Sequence, residues 1–458
     1  MNAARPAIRP EAGHPPDPYA LADILRLVTA YYVEQSEPGV PTERVSFGTS
    51  GRRVSSLSHS FNERHSLAIT QAICLFRRME EIDGPLSLGC DTRVLSRPAC
   101  ATALELVAAN DVPATTAANE GYTPTPVISR AIVAWNRAGA GQRSDGFIIT
   151  PSRTPPEDPG LKYNPPHGGP ASTEGTRWID GRENALLSGK CVVRVPYERA
   201  LHASGTRRHD YVTGHITDLA AVLEMEAIRA SGPQLAVDAQ GGTGIDYWAR
   251  IGERDGLHFT ALDDAADHSF RFMRRDSDGK IRKIRKIRMG PSSSYAMKGL
   301  IGLKDGYDLA SAWDTDHDRH GFVTRSAGLM PPNHSLAVMA DHLLAYRTEW
   351  KGDVAIARNV ASSGIIDRVA AQETSPARDA GRLQRVRRWA ERRHAWLRRG
   401  GKCQCDLPRA KRPGLDKGQG RHRRLPALRR DHGSSGKERG RPLCLADRRD
   451  RAVLLPTQ

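Results

Sequence analysis

Apolar residues recur along most of this chain in two spacings that alternate. Residues 65–79 and 101–109 follow the i, i+3, i+4, i+7 spacing of an amphipathic helix, and a further helix is expected around Ser335. The same spacing begins near the N-terminus, at Leu21, Ile24, Leu25, Val28, Tyr31 and Tyr32. Short apolar runs bounded by Gly, Asp or Pro predict strands at 146–150, 234–237 and 354–357.

Strands separated by helices favour an α/β fold built of layered domains. A chain of 458 residues has room for about two to four of them. A stretch near 203–208 that contains Ser and Gly predicts a first domain boundary, and a second is expected after Arg319. The sequence therefore predicts a multidomain α/β protein.

The net charge of +16 is confined to the C-terminal part of the chain. Residues 373–458 contain 25 basic and 9 acidic residues and carry the whole imbalance, so the preceding residues sum to zero. A basic tail can bind nucleic acid through phosphate contacts. The part before it has the charge balance of an ordinary globular protein.

Other composition signals concern the compartment. No apolar stretch approaches the roughly 18 residues of a membrane span, and residues 1–18 lack the apolar core of a secretory signal. Seven cysteines without metal-ligand spacing argue against a disulfide framework. We therefore expect a cytoplasmic protein with no membrane partner, and the sequence leaves the oligomeric state open.

A proline-rich loop is expected after the strand at 146–150. It runs Thr-Pro-Ser-Arg-Thr-Pro-Pro-Glu-Asp from Thr150, and Ser152 is its third residue. A rigid loop at the end of a strand is where α/β proteins place reacting groups. Ser152 is either an activated nucleophile or a turn residue held by its hydroxyl, and this motif alone favours the turn.

Three carboxylates alternate along a second motif, at Asp314, Asp316 and Asp318. Carboxylates at this spacing on one loop can converge on a hard cation such as Mg²⁺. A calcium EF-hand is excluded, because Arg319 stands where that loop needs Gly and Arg325 where it needs Glu. A solvated acidic turn remains the competing interpretation, although like charges this close favour a bound cation.

A third motif, at 47–53, combines a turn of small residues with adjacent arginines. Its sequence is Phe-Gly-Thr-Ser-Gly-Arg-Arg. Backbone N–H groups and guanidinium forks suit a phosphate ligand. By itself the motif is weak evidence, since such turns also occur in proteins that bind no phosphate.

In this order, the three motifs resemble those of the α-D-phosphohexomutase superfamily, and of the bacterial phosphoglucomutases in particular. These have a Gly-Thr-Ser-Gly-His-Arg-Gly loop, a Thr-Pro-Ser-His-Asn-Pro-Pro-Glu-Asp serine loop and an Asp-Pro-Asp-x-Asp-Arg metal loop. The resemblance covers about residues 19–372. It implies a phosphohexomutase-like fold with the serine loop in domain one (1–205), the metal loop in domain two (206–322), a partial domain three (323–372) and no domain four.

The resemblance also implies an activity, the interconversion of glucose 1-phosphate and glucose 6-phosphate. Ser152 would be a phosphoserine whose phosphoryl group passes to the sugar. The product, glucose 1,6-bisphosphate, would return its other phosphoryl group to Ser152 and act as the activating intermediate. One Mg²⁺ per chain would be held by that phosphate, Asp314, Asp316 and Asp318.

Five further residues acquire roles by the same resemblance. Thr49, Ser50, Arg53 and Arg319 would bind the sugar phosphate. Lys162 matches the proposed general acid or base. To act as a base at neutral pH, Lys162 would need a pKa lowered by neighbouring cations.

Several departures from the family pattern bear on activity. Arg153 and Thr154 stand where the family has His and Asn, and the sugar-selecting Gly-Glu-Glu-Ser loop does not occur after residue 372. Codons chosen for 389–408, read one nucleotide later, can spell that loop in its expected context. We therefore hypothesise that the reading frame shifts after about residue 372 and leaves a truncated mutase with a basic, disordered tail.

Three functions are carried forward from the sequence. The first is a phosphoglucomutase, the second a catalytically inactive mutase product, and the least favoured a nucleic-acid-binding protein with a basic tail. We expect Ser152 to lie within about 10 Å of the three carboxylates. We also expect 373–458 to form no compact domain and the chain as written to have little or no mutase activity.

Overall fold

The computed structural model describes residues 11–44, 55–139, 141–189, 191–263, 265–276, 287–346, 362–373 and 452–454. The strands in this part of the chain are β1 (Leu86–Cys90), β2 (Ala114–Ala117), β3 (Asp145–Ile149), β4 (Leu161–Asn164), β5 (Cys191–Val193), β6 (Thr206–His209), β7 (Leu235–Asp238), β8 (Phe259–Leu262), β9 (Leu309–Trp313), β10 (His320–Thr324), β11 (Gly328–Leu329) and β12 (Ala452–Leu454).

Helices connect these strands. They are α1 (Ile24–Val33), α2 (Glu63–Met79), α3 (Ser96–Ala109), α4 (Thr125–Arg137), α5 (Thr173–Leu187), α6 (Tyr197–Leu201), α7 (Tyr211–Leu219), α8 (Met225–Ser231), α9 (Ile245–Asp255), α10 (Lys298–Gly302), α11 (Pro332–Tyr346) and α12 (Ile365–Glu373). Short 3₁₀ turns lie at Pro18–Ala20, Ser56–Ser58 and Lys304–Gly306.

The first sheet has the strand order β4-β3-β1-β2-β6. Its strands are parallel except β4, which pairs antiparallel with β3. β1 and β3 end together, with Cys90 opposite Ile149. The loops that follow these two strands therefore leave the same edge of the sheet side by side, which is where α/β folds place reactive groups.

Helices α1, α2, α3 and α5 bury one face of this sheet. The apolar spacing seen in the sequence puts Leu67 and Ile73 of α2 and Leu106 of α3 into this core, where they are at most 1% exposed. α2 begins at a capping box, in which the side chains of Asn62 and His65 each bond the other residue's backbone N–H.

A second core lies on the opposite face and joins helices from both sheets. It contains Ile128 of α4, Ile148 of β3, Ile216 of α7 and Tyr247 of α9, all 5% exposed or less. Burial of this apolar surface holds the first sheet against the helices of the second.

The second sheet has the order β11-β10-β9-β7-β8, with β7, β8 and β9 parallel and β10 and β11 antiparallel. β9 and β10 form a hairpin in which Trp313 pairs with His320. Residues 314–319 make the connection between them. The hairpin thus presents the acidic motif at one end of this sheet.

The secondary structure predicted from apolar spacing is confirmed in α1, α2, α3 and α11 and in strands β3 and β7. The strand expected at 354–357 lies outside the described residues. The multidomain α/β fold is confirmed by the two layered sheets. The first sheet continues through β6, so it extends to His209.

Beyond Glu373, the last residue of α12, the basic tail is described only in β12, which pairs antiparallel with β5. Val453 lies opposite Val192 in this two-stranded ribbon. Residues 374–451 and 455–458 lie outside the described residues, so the expectation that the tail forms no compact domain stays a prediction.

Candidate active site

Ser152 lies on the loop that follows β3. It is 4% exposed, and its φ of 62° lies in the left-handed region, which residues other than glycine rarely adopt. The Ser152 N–H donates a 3.0 Å hydrogen bond to the Thr150 hydroxyl oxygen. The serine predicted from the sequence is therefore held in a constrained conformation.

The acidic motif forms a closed turn between β9 and β10. The Asp314 N–H donates to the Arg319 carbonyl at 3.0 Å, and the Arg319 N–H donates to Asp314 Oδ1 at 3.0 Å. Asp314 and Asp316 are fully buried, while the Asp318 side chain is 29% exposed. The turn gathers all three carboxylates in one place.

These carboxylates can hold a metal ion. One oxygen from each of Asp314, Asp316 and Asp318 lies within 4.8 Å of the others. Burial, followed by the charges of Asp316 and Asp318, raises the pKa of Asp314 to about 7. Asp316 Oδ1 is buried without a hydrogen-bond partner among the described residues. An all-oxygen, acidic donor set of this kind fits a hard divalent cation, which would relieve the repulsion.

The serine loop and the acidic turn meet. Ser152 Oγ donates to Asp314 Oδ2 at 2.6 Å, and Arg319 Nη1 donates to Ser152 Oγ at 3.1 Å. This contact agrees with the expectation that Ser152 lies near the carboxylates. The hydroxyl thus lies between a carboxylate of the candidate metal site and a guanidinium group.

Lys162, on β4, reaches the same turn from the first sheet. Its Nζ lies 2.5 Å from Asp316 Oδ2 and 2.6 Å from Asp318 Oδ2. Burial opposes the charged form of Lys162, but the two carboxylates outweigh it and raise the lysine's pKa. A base at neutral pH needs a lowered pKa, so these neighbours favour the ammonium form.

A second guanidinium group adjoins the serine. Arg153 is partly buried, and burial, then Arg319 and Arg288, lower its pKa, against the opposing charges of Asp314 and Asp276. Positive charge therefore gathers next to Ser152, and Arg153 stands where the mutases that the sequence resembles have a histidine. Such a cluster suits an anionic ligand.

The third predicted motif lies outside the described residues. Thr49, Ser50 and Arg53 fall within 45–54, between the described segments 11–44 and 55–139. Their assignment to phosphate binding stays a prediction.

Sequence analysis missed two residues next to the serine loop. Asp91 and Arg93 follow β1 directly and are at most 1% exposed. An acidic and a basic residue in the pattern Asp-x-Arg, placed immediately after a buried strand, is the signal that points to them. Because β1 and β3 end side by side, this pair adjoins the loop of Ser152.

Among the described residues, the helices are all too short or too polar to cross a lipid bilayer.

Known proteins share both sequence and fold with this chain. Residues 44–186 match the family described as phosphoglucomutase/phosphomannomutase, alpha/beta/alpha domain I. The chain is 49% identical over 367 residues to a phosphoglucomutase of Komagataeibacter xylinus, which covers 80% of this chain and 65% of the relative. It is 26% identical over 316 residues to phosphoglucomutase 1 of Drosophila melanogaster, covering 62% of this chain and 52% of the relative.

This chain therefore spans between about half and two thirds of the length of these curated relatives. A solved structure is also similar, the open form of the exocytosis-sensitive phosphoprotein pp63/parafusin, a phosphoglucomutase from Paramecium. The TM-score is 0.57 at 21% identity, covering 74% of this chain and 62% of that one. At this identity the likeness concerns the fold.

Proposed function

Because this chain belongs to the phosphoglucomutase/phosphomannomutase family, we propose that it carries a phosphoryl group on Ser152 and exchanges it with a hexose phosphate. The proposed reaction interconverts glucose 1-phosphate and glucose 6-phosphate through glucose 1,6-bisphosphate, in the cytoplasm. The observation that carries the proposal is the contact of Ser152 Oγ with Asp314 and Arg319.

The surroundings of Ser152 suit phosphoryl transfer. That reaction needs in-line positioning and compensation of the phosphate charge rather than covalent help from the protein. Arg319 donates to Ser152 Oγ, so its guanidinium is placed to bind oxygens of a phosphoryl group there. Arg153 adds a second positive charge that interacts electrostatically with Arg319 and Asp314.

We assign the carboxylates of Asp314, Asp316 and Asp318 to one Mg²⁺, together with the Ser152 phosphate. The grouping of their oxygens and the raised Asp314 pKa support a cation at this position. When bound, the ion would neutralise phosphate charge during transfer. The identity of the ion rests on the oxygen-rich donor set.

Lys162 is proposed to exchange a proton with the sugar oxygen that gains or loses the phosphoryl group. In its favoured ammonium form it can donate a proton to the departing oxygen. To accept a proton from the attacking sugar hydroxyl it must first lose one. Thr49, Ser50 and Arg53 are proposed to bind the non-reacting phosphate of the sugar.

The test uses the full chain, Mg²⁺ and glucose 1,6-bisphosphate. Mass spectrometry of the intact protein and its peptides should find a phosphoryl group on Ser152, and Ser152→Ala should take up none. A second assay couples glucose 6-phosphate formation from glucose 1-phosphate to a dehydrogenase. Absence of the phosphoryl group on Ser152 in the folded parent would refute the proposal.

A second candidate function is supported by the sequence itself. Gly-Glu-Glu-Ser, the family's sugar-selecting loop, does not occur in the 458 residues. We propose under this alternative that Ser152 accepts a phosphoryl group but the chain turns over little glucose 1-phosphate, because orientation of the sugar supplies much of the rate. Phosphorylation without appreciable glucose 6-phosphate would favour this alternative over a complete mutase.

A further inference from the structure

Two fully buried arginines stand out among the described residues, Arg77 and Arg93. Each is paired with a fully buried aspartate, Arg77 with Asp145 and Arg93 with Asp91. Burying a guanidinium group is costly unless its N–H groups are all used. The two arginines are similarly buried and each faces a buried aspartate, and they differ in the main-chain oxygens that they bond.

The other N–H groups of Arg93 donate hydrogen bonds to the main chain of the serine loop. Its Nη2 donates to the carbonyl oxygens of Ser152 at 2.5 Å and Thr154 at 2.6 Å, and its Nε donates to that of Pro155 at 3.4 Å. Arg77 instead donates to the Gly84 carbonyl, away from this loop. Of these two arginines, therefore, Arg93 is the one whose planar fork bonds several main-chain carbonyls of the loop that carries the serine.

Asp91 holds the other end of the same unit. Its carboxylate accepts from Arg93 Nη1 at 2.5 Å, from Ser96 Oγ at 2.5 Å and from Thr150 Oγ1 at 2.8 Å. The Thr150 oxygen in turn accepts the Ser152 N–H. Both the N–H and the C=O of Ser152 are thus connected to Asp91, one through a threonine and the other through an arginine.

This arrangement explains how Ser152 keeps its unusual backbone conformation. A φ of 62° is sterically unfavourable for a non-glycine residue and persists where surrounding contacts determine it. We propose that Arg93, anchored by Asp91, is a positioning residue that fixes the left-handed conformation of Ser152 and so directs its hydroxyl at Asp314 and Arg319. Its effect on chemistry rests on the proposed phosphoryl transfer.

The proposal makes a specific demand on the side chain at 93. A lysine keeps the positive charge beside Asp91, but its single ammonium cannot reproduce a fork that bonds several carbonyls at once. Arg93→Lys should therefore preserve the ion pair and lose the positioning. Arg77→Lys is the matched control, because it makes the same change in an equally buried ion pair that does not touch the serine loop.

The first measurement is hydrogen exchange of peptides that cover 150–158 in the parent and both variants. Arg93→Lys should speed exchange there about tenfold or more, and Arg77→Lys should leave it at the parent rate. Equal exchange in the two variants would overturn the proposal. This measurement is independent of any reaction.

The second measurement is the rate at which glucose 1,6-bisphosphate phosphorylates Ser152 in the folded fraction of each protein. Arg93→Lys should lower the maximal rate between about tenfold and a hundredfold with little change in the half-saturating concentration. Arg77→Lys should stay near the parent. If the parent takes up no phosphoryl group, the proposed function is refuted. The hydrogen-exchange result then still decides whether Arg93 positions Ser152.

A second variant guards against misfolding of Arg93→Lys. Thr150→Val has nearly the same shape, leaves Arg93 in place and removes the oxygen that links the Ser152 N–H to Asp91. It should shift exchange and phosphorylation in the same direction by a smaller factor. If Thr150→Val and Arg93→Lys both showed the exchange and phosphorylation rates of the parent, the inference would be overturned.

Discussion

The ammonium group of Lys162 lies 2.5 Å from the Asp316 carboxylate and 2.6 Å from that of Asp318. A side chain from the first sheet thus compensates the acidic turn of the second sheet. Thr125, at the start of α4, strengthens the same junction with a 2.5 Å hydrogen bond to Asp316. The candidate cation site is therefore built from both sheets.

Removing the lysine charge should tighten cation binding. In Lys162→Met the carboxylates of Asp316 and Asp318 lose their internal cation, so we expect Mn²⁺ or Mg²⁺ affinity to rise about tenfold. Titration calorimetry of the full chain measures this. Lys298→Met, an exposed lysine on α10, is the control. Unchanged affinity in Lys162→Met would show that Lys162 does not compete for the site.

Neutralising a buried carboxylate should have the opposite effect. Asp316→Asn removes one negative charge from the group of three, and we expect divalent-cation affinity to fall at least about tenfold. Asp305→Asn changes an exposed residue of the same region and should leave affinity unchanged. Equal affinities in the two variants would exclude the acidic turn as the binding site.

The backbone strain at Ser152 should be measurable as stability. Ser152→Ala and Ser152→Gly both remove the hydroxyl, but only glycine adopts a φ of 62° without steric cost. We therefore expect Ser152→Gly to be more stable than Ser152→Ala by about 1 kcal/mol in urea unfolding. If alanine is the more stable of the two, the left-handed conformation is not the source of strain.

His65 should make the fold sensitive to mild acid. Burial lowers its pKa from 6.5 to about 4 in the folded protein, so the unfolded chain binds more protons between these values. The parent should lose on the order of 3 kcal/mol of stability as the pH falls from 6.5 to 4 through this residue alone. Above pH 6.5 His65 is neutral in both the folded and the unfolded chain, so it adds no pH dependence to the stability.

The matched variant for this effect is His65→Gln. Glutamine at this position can keep the capping box with Asn62 but does not titrate. Thermal unfolding of parent and variant from pH 7.5 to 4.5 should give curves that converge in acid. A constant difference across that range would contradict the prediction.

Glu183 should destabilise the fold as the pH rises, whereas His65 does so as the pH falls. It is fully buried on α5, and neither carboxylate oxygen has a hydrogen-bond partner among the described residues. Burial, followed by the charge of Asp180, raises its pKa well above 4.5. The unfolded chain releases this proton first as pH rises through 4.5, so the folded state loses stability with increasing pH.

Glu183→Gln removes this penalty while keeping the shape of the side chain. We expect its melting temperature to exceed that of the parent by about 2–4 °C at pH 8, with a smaller gain at pH 5. Glu174→Gln, exposed in the first turn of the same helix, should show no gain that grows with pH. A gain in Glu183→Gln that is independent of pH would refute the ionisation argument.

Local patterns predicted much of the fold but little of its assembly. Helix α2 was predictable because its apolar spacing matches the buried face that includes Leu67 and Ile73. The order of the strands was not predictable in this way, because hydrogen-bonded neighbours such as β2 and β6 are far apart in sequence. Their pairing depends on packing that short patterns do not encode.

In the candidate site, too, some residues could be predicted from the sequence and others only from the assembled fold. Ser152 and the three aspartates were found because their motifs, taken together, resemble those of a known family, although the serine motif alone favoured a turn. Arg93 acts through main-chain oxygens of a loop some sixty positions later, so no local pattern reports its partners. The strands that precede Asp91 and Thr150 had to be placed side by side before this connection was visible.

The contacts of Arg93 also bear on how this loop tolerates drift in its own sequence. Carbonyl oxygens are present whatever the side chain, so the bonds to Ser152 and Thr154 do not depend on residue identity at 154 or at its neighbour 153. Arginine and threonine could therefore replace the family's histidine and asparagine without releasing the serine. Substitutions at 153 and 154 can therefore change the charge around the Ser152 hydroxyl while the main-chain bonds from Arg93 keep that hydroxyl in place.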